Sequence, residues 1–467
     1  MKRVVATAGA AALLLLATGA AGKKSIVPRY ETLLLKNGAK VYWFPSPNIP
    51  LFEVHLNFRG GSDLDPPGRS GIAAFAAGMI RRGVPGLDEN AISSKLDDTA
   101  GGVEASVGEE DTTVSSYGLN EHAPEILDLM FEELAHPTFP EEPFKRLRTN
   151  HLDSIVQLPD SPGALATHVL DSVMFNGTTK ARPSTGYKRD LVRVKLDAVR
   201  DYYPTLVRTD KLAALVIGGK ERREILDRVA RGLEALPCPA CGKTIPEPGP
   251  VDLPPARLGK GTVLLVSRPG ISEAHVRMGF VGPRRKVAEF YDLRVAETIL
   301  SGHFASRLNL VIREKLGLTY GINAGFNFGT TVGSFVLSTS TRNDKVGELI
   351  TQVNKLLAAF VRGEIGEDDL RIAKDYLTGS FPLGLQNVYA IAGSVFGGVL
   401  NGLEPAFLDD FQDRVNGVTL ESLRAAVRKH VTLDQLKTVV VGDVKALSPR
   451  LAKHGLRYVV RKPGEFL

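Results

Sequence analysis

The chain has 467 residues, 43% of them apolar and 24% charged, enough for two sizeable folded domains. These proportions exclude a disordered, collagen-like or multi-span membrane protein. The formal charge of +6 is spread along the sequence and includes Lys2 and Arg3 of a leader, so it forms no basic stripe of the kind nucleic acid requires.

The chain opens "MKRVVATAGAAALLLLATGAAGKK": a basic start, an apolar run over Val4–Leu16 and small residues at Thr18, Gly19, Ala20 and Ala21. This is the layout of a signal peptide over residues 1–21. A retained anchor is the alternative, but the apolar run is short for one. The expectation is a mature protein that is extracytoplasmic, most simply periplasmic, with no membrane span left.

Ser70–Gly83 reads "SGIAAFAAGMIRRG", a helix with an apolar side. From Gly71 to Met79 it carries no group that binds a metal or moves a proton. Downstream, "GGVEASVGEEDTTVSSYGL" alternates like strands, and "APEILDLMFEELAHPTF" repeats apolar residues at helical spacing.

The segment from Val194, "VKLDAVRDYYPTLVRTDKLAALVIGGK", gives a helix and then an apolar strand ending in glycine. Between Ala235 and Gly261 lies a Pro/Gly-rich stretch that reads as a linker. It holds the only cysteines, Cys238 and Cys241, in "LPCPACGK". A C-x-x-C pair can be redox-active, half of a zinc knuckle or a local disulfide. With no second cysteine pair and a proline-rich setting, a local disulfide is expected.

The same succession then recurs. "GINAGFNFGTTVGSFVLSTST" alternates, "VGELITQVNKLLAAFVRGEI" is helical, and "VTLESLRAAVRKHVTLDQLKTVVVGDV" from Val418 repeats the helix–strand unit. Leu196, Leu212, Val216, Ile217 and Gly218 align with Leu420, Leu436, Val440, Val441 and Gly442 at a constant offset of 224 residues. The expectation is a duplicated α+β fold: one domain over 28–234, the linker over 235–261 and a second domain over 262–450.

No two of the nine histidines are closer than 14 residues, so no helical H-x-x-x-H pair exists. A nucleophile elbow, a phosphate loop and a dinucleotide fingerprint are absent too. One stretch stands out, "SGHFASRLNLVIREKLGLTYGINAGF". It sets Arg313 near a helix end and Tyr320 at a strand opening, with Gly317 and Gly321 beside the break. Both could point into a cleft, but by themselves these residues read first as a surface ion pair and a half-buried tyrosine.

This segment and the duplicated layout resemble the inverted-zincin metallopeptidases of the pitrilysin and mitochondrial processing peptidase family. The resemblance covers nearly the whole mature chain and implies two processing-peptidase-like domains, each a mainly antiparallel sheet with packed helices. It implies that Arg313 and Tyr320 contact substrate near the scissile bond. The family's H-x-x-E-H helix aligns with "GIAAFAAGM", placing its histidines at Ala74 and Gly78 and its glutamate at Ala77. The third zinc ligand would fall in "RTNHLDSI", where Asp153 is the nearest carboxylate. The zinc site is therefore degenerate, with no cofactor expected in this chain. Because some bacterial members are built from two chains, the resemblance implies a non-zinc subunit. Such a subunit is inactive alone and lends Arg313 and Tyr320 to a homologous zinc-bearing partner across a shared peptide chamber. The alternative is an inactive structural or peptide-binding homologue.

Overall fold

The computed structural model describes residues 25–46, 48–218, 223–244 and 258–467. The expected leader over 1–21 lies outside the described residues. Strands in chain order are β1 (Glu31–Leu34), β2 (Lys40–Pro45), β3 (Leu51–Arg59), the short β4 (Gly83–Val84) and β5 (Leu87–Asp88), β6 (Gly102–Val107), β7 (Asp111–Leu119) and β8 (Leu212–Gly218). The second half gives β9 (Thr262–Ser267), β10 (Glu273–Gly282), β11 (Ile322–Asn327), β12 (Gly333–Arg342), β13 (Lys437–Gly442) and β14 (Arg457–Arg461).

They form two six-stranded sheets, β1-β2-β8-β3-β7-β6 and β11-β12-β10-β13-β9-β14, with β4 and β5 a separate hairpin. Read from opposite ends, five strands correspond one to one, and each sheet carries the same parallel pair, β2 with β8 and β9 with β13. The sixth strand breaks the correspondence. β1 enters from the N-terminal side antiparallel to β2, whereas β14 comes from the C-terminal end parallel to β9. The second sheet thus runs past the expected domain end at residue 450. "RYVVR" is a mostly exposed edge with no buried run to announce it.

The paired helix–strand units have the same type in both halves: helix Leu196–Leu206 then β8, and helix Leu420–His430 then β13. Helices cover one face of each sheet. In β3, Phe52, Val54, Leu56 and Phe58 alternate into the first core with Phe75 and Leu127, while Glu53, His55, Asn57 and Arg59 face away. In β10, Ala274, Val276, Met278 and Phe280 do the same in the second core.

The opposite faces are covered by exchange. Helix Pro162–Met174, which belongs to the first half in sequence, packs Leu165, Val169, Leu170 and Val173 on Leu264, Val266, Val439 and Val441 of the second sheet. Helix Val388–Leu400, from the second half, packs Val395 and Phe396 on Tyr42, Phe44, Leu215 and Ile217 of the first. β8, β9 and β13 are therefore buried on both faces, which explains their unbroken apolar runs "LAALVIG", "TVLLVS" and "KTVVVG". Gly279 permits the crossing: a Cβ there would lie 3.1 Å from Leu170 Cδ2 and 2.7 Å from the Phe335 carbonyl oxygen. Polar contacts reinforce the exchange, with Arg277 donating to the Gly163 carbonyl at 3.1 Å and Tyr389 to that of Leu51 at 3.1 Å.

Candidate functional site

The helix Ile72–Met79 is alanine-rich and its start is fixed by a buried carboxylate. Asp65 accepts from Gly71 N at 2.6 Å and Ala73 N at 3.0 Å, satisfying two otherwise orphaned amides. Burial pushes the Asp65 carboxyl up to about 7 in spite of those two donors. Gly71 sits at φ +88°, and a Cβ there would lie 2.6 Å from the Thr185 carbonyl oxygen.

Ala74 and Ala77 are buried on this helix, and Gly78 faces the long helix Glu141–Gln157. A Cβ on Gly78 would meet Leu147 Cδ2 at 2.8 Å. Beside it, Phe75 packs edge-on to Phe144 at 5.4 Å and parallel to the His151 ring at 5.1 Å. Phe144, Leu147, His151 and Ile155 form one face of their helix, and this face packs against Phe75 and Gly78. The Ala74, Ala77 and Gly78 side chains offer no donor atom, so these residues do not fit zinc. Within "RTNHLDSI" it is His151 that turns inward, while Asp153 is exposed. Burial holds the His151 imidazole below its ordinary pKa, so it sits neutral in the stack.

Near the end of the neighbouring helix Ala123–Ala135, Glu133 is completely buried, and neither carboxylate oxygen has a hydrogen-bond partner. Burial pushes it up to about 8, with Arg81 opposing. Sequence reasoning passed over Glu133 because "FEELAH" reads as one more charged helix turn.

Arg313 and Tyr320 lie at the other expected location, on the second half. Residues Asn309–Lys315 form wide helical turns that Gly317, at φ +58°, brings to an end. Arg313 is half-exposed, its guanidinium 4.8 Å above the Phe304 ring and its Nε 3.4 Å from Glu314. Tyr320 is 93% exposed. Its exposure is imposed from below. Thr341 on β12 donates to the Leu318 carbonyl at 2.6 Å, and Thr339 donates to the Gly321 carbonyl at 2.9 Å and lies 3.0 Å from the Thr319 hydroxyl. The turn from Leu318 to Gly321 is thus bolted to the sheet while the tyrosine projects outward. Thr339 and Thr341 escaped the sequence reading, although their alternation in "VLSTSTR" was a signal that one face of β12 is polar and buried.

The structure therefore holds a packed helix without donor side chains at Ala74, Ala77 and Gly78 in one half, and a half-exposed Arg313 and a fully exposed Tyr320 on a braced turn in the other. Cys238 and Cys241 are joined as a disulfide, as their setting suggested.

Comparison with known proteins gives the following. Residues 45–188 match the family described as insulinase (peptidase family M16), and residues 193–377 match the peptidase M16 inactive domain. A Helicobacter pylori protein named non-peptidase homolog YmxG is 24% identical over 408 residues, covering 85% of this chain and 90% of the relative. A Bacillus subtilis protein named uncharacterized zinc protease YmxG is 24% identical over 402 residues, covering 85% and 95%. Among solved structures, a peptidase M16 inactive domain protein from Pseudomonas fluorescens superposes with a TM-score of 0.80 at 23% identity. That match covers 89% of this chain and 98% of the other.

Proposed function

The chain belongs to the M16 peptidase family, and on that premise we propose that it is the non-zinc subunit of a two-chain metallopeptidase. In this reading Arg313 and Tyr320 reach the site of a homologous partner that carries the H-x-x-E-H helix, and the leader directs the chain to the periplasm. The observation that carries the proposal is the contrast within one chain. The helix Ile72–Met79 has no donor at Ala74, Ala77 or Gly78, yet Tyr320 is presented to solvent on a braced turn and Arg313 lies half-exposed on the helical segment before it.

The chemistry of the pair suits that role. Arg313 offers a planar, permanently charged fork, and Tyr320 one neutral hydroxyl donor. Directed at a peptide carbonyl, both would bind the oxyanion that develops during attack. Losing one such donor costs roughly 2.7–4 kcal/mol of transition-state stabilisation. The partner would supply the metal, and this chain's part is confined to binding and orienting the peptide.

The name of the Helicobacter pylori relative, a non-peptidase homologue, favours a chain without activity of its own. It also supports the second reading, an inactive structural or peptide-binding protein. Reconstitution separates the two. The mature chain, mixed with a homologous H-x-x-E-H protein from the same organism, is assayed for peptide cleavage with wild type, Arg313→Ala and Tyr320→Phe. Cleavage that needs both chains and falls with either substitution supports the subunit. Equal cleavage by all three assembled complexes favours the inactive homologue.

A further inference from the structure

The turn that opens the linker gathers three groups with the chemistry of a soft-metal site. We propose that, once reduced, Cys238 and Cys241 together with Asp210 bind a zinc-type dication. The two cysteines are half of a zinc knuckle, and the fold brings a third donor to them. Asp210 Oδ1 lies 3.3 Å from Cys241 Sγ, and one atom from each residue falls within 4.8 Å of the other two. Zinc holds thiolates at about 2.3 Å and carboxylate oxygens at about 2.0–2.2 Å, which places neighbouring tetrahedral ligands roughly 3.5–3.8 Å apart. With Cα atoms 5.3 Å apart, the freed sulfurs reach that spacing by side-chain rotation alone.

The backbone is already wound for ligation. Cys241 N donates to the Cys238 carbonyl at 3.1 Å and Lys243 N to that of Ala240 at 3.2 Å, two successive tight turns that bring both cysteines to one side. The carboxylate is held in place as well. Arg208, whose side chain is only 3% exposed, donates to Asp210 Oδ1 at 3.1 Å and Oδ2 at 2.8 Å, and Gly242 N donates to Oδ2 at 3.0 Å. Outer partners of this kind orient metal-binding carboxylates. The charges also close: two thiolates and one carboxylate against a dication leave a single negative charge, and the buried Arg208 guanidinium cancels it. The Thr209 hydroxyl, 3.4 Å from Cys241 Sγ, can donate to that thiolate. Three protein ligands leave a fourth position for water.

The disulfide and the metal are alternatives at one place. A thiol reductant opens the Cys238–Cys241 bond in two exchange steps, leaving two cysteine thiols and the reductant as its own disulfide. Binding the dication then releases one proton from each thiol. Either link ties the start of the linker to the turn Thr209–Lys211, so the anchor survives a change of redox state.

The test uses the mature chain, reduced with a phosphine that takes oxygen from water and leaves two thiols, then freed of reagent without air. Titration with Co2+ is expected to give one equivalent bound, with thiolate-to-cobalt charge-transfer absorption that Zn2+ abolishes, and none in the oxidised protein. Cys238→Ser with Cys241→Ser should bind none. Asp210→Asn, its fold checked by circular dichroism, should bind at least tenfold more weakly with the sulfur absorption retained. The comparison of oxidised with reduced wild type needs no variant. Equal metal uptake by those two forms overturns the proposal, as does unchanged affinity in a folded Asp210→Asn protein.

Discussion

The imidazole of His151 lies flat against the ring of Phe75, their centroids 5.1 Å apart and their planes inclined by 16°. This stack stands between the two helices from which the family draws its zinc ligands. Phe144 closes it edge-on, and Leu147 lies where a side chain at Gly78 would project. Larger side chains at Ala74, Ala77 and Gly78 would therefore meet groups already packed around this helix.

Restoring the ligand letters alone should fail. The triple variant Ala74→His, Ala77→Glu, Gly78→His is expected to bind no stoichiometric zinc in the disulfide-intact protein. It should also lose stability, since overpacking a filled core costs about 1–3 kcal/mol. Metal analysis and urea unfolding check both parts, and one tightly bound zinc per chain would show that the plug yields.

In the reconstituted complex, Arg313→Ala and Tyr320→Phe should lower kcat more than they raise KM, because the donors matter most in the transition state. Neither should change the stability of the free chain by more than about 1 kcal/mol, the scale of an exposed cation–π contact. Thr339→Val removes the brace under Gly321 and should reduce kcat partially with Tyr320 intact. Wild-type rates from assembled Tyr320→Phe would assign the tyrosine to the surface.

Glu133 should set part of the pH dependence of stability. Its folded-state pKa is raised from 4.5 to about 8, so the folded protein keeps a proton that the unfolded chain releases. Its contribution is fully present below about 4.5 and is lost as pH rises towards 8, at up to about 1.4 kcal/mol per pH unit. Glu133→Gln is neutral throughout. Its unfolding midpoint should match wild type near pH 4 and exceed it increasingly up to pH 8. A constant difference across that range would contradict the assignment.

Cutting the linker should not separate the halves. A protease site placed within residues 245–257 and cleaved should leave two fragments that co-elute until denaturant is added. The helices Pro162–Met174 and Val388–Leu400 each bury their apolar face on the other half's sheet. Leu170→Ala should cost roughly 2–5 kcal/mol and promote separation of the cut chain. Fragments that part in native buffer would mean the exchange contributes little.

The sequence by itself determined the kinds of elements, their duplication and the absence of donor side chains at Ala74, Ala77 and Gly78. Apolar spacing is a local property that chooses between helix and strand, and alanine carries no ligand atom in any fold. It also singled out Arg313 and Tyr320 as candidates through their spacing in one short segment. Tertiary structure alone decided what packs beside the helix Ile72–Met79, because Phe144, Leu147 and His151 read only as one face of a helix until that face met Phe75. It alone assigned the exchanged helices, since the hydrophobic effect rewards burial without saying on which sheet. The polar groups that brace and surround the chemistry, Thr339 and Thr341 under Tyr320 and Asp210 beside Cys241, come from segments distant in sequence. Hydrogen bonds and ligand geometry act over about 3 Å in space, and no local pattern in the chain records which distant residues will arrive there.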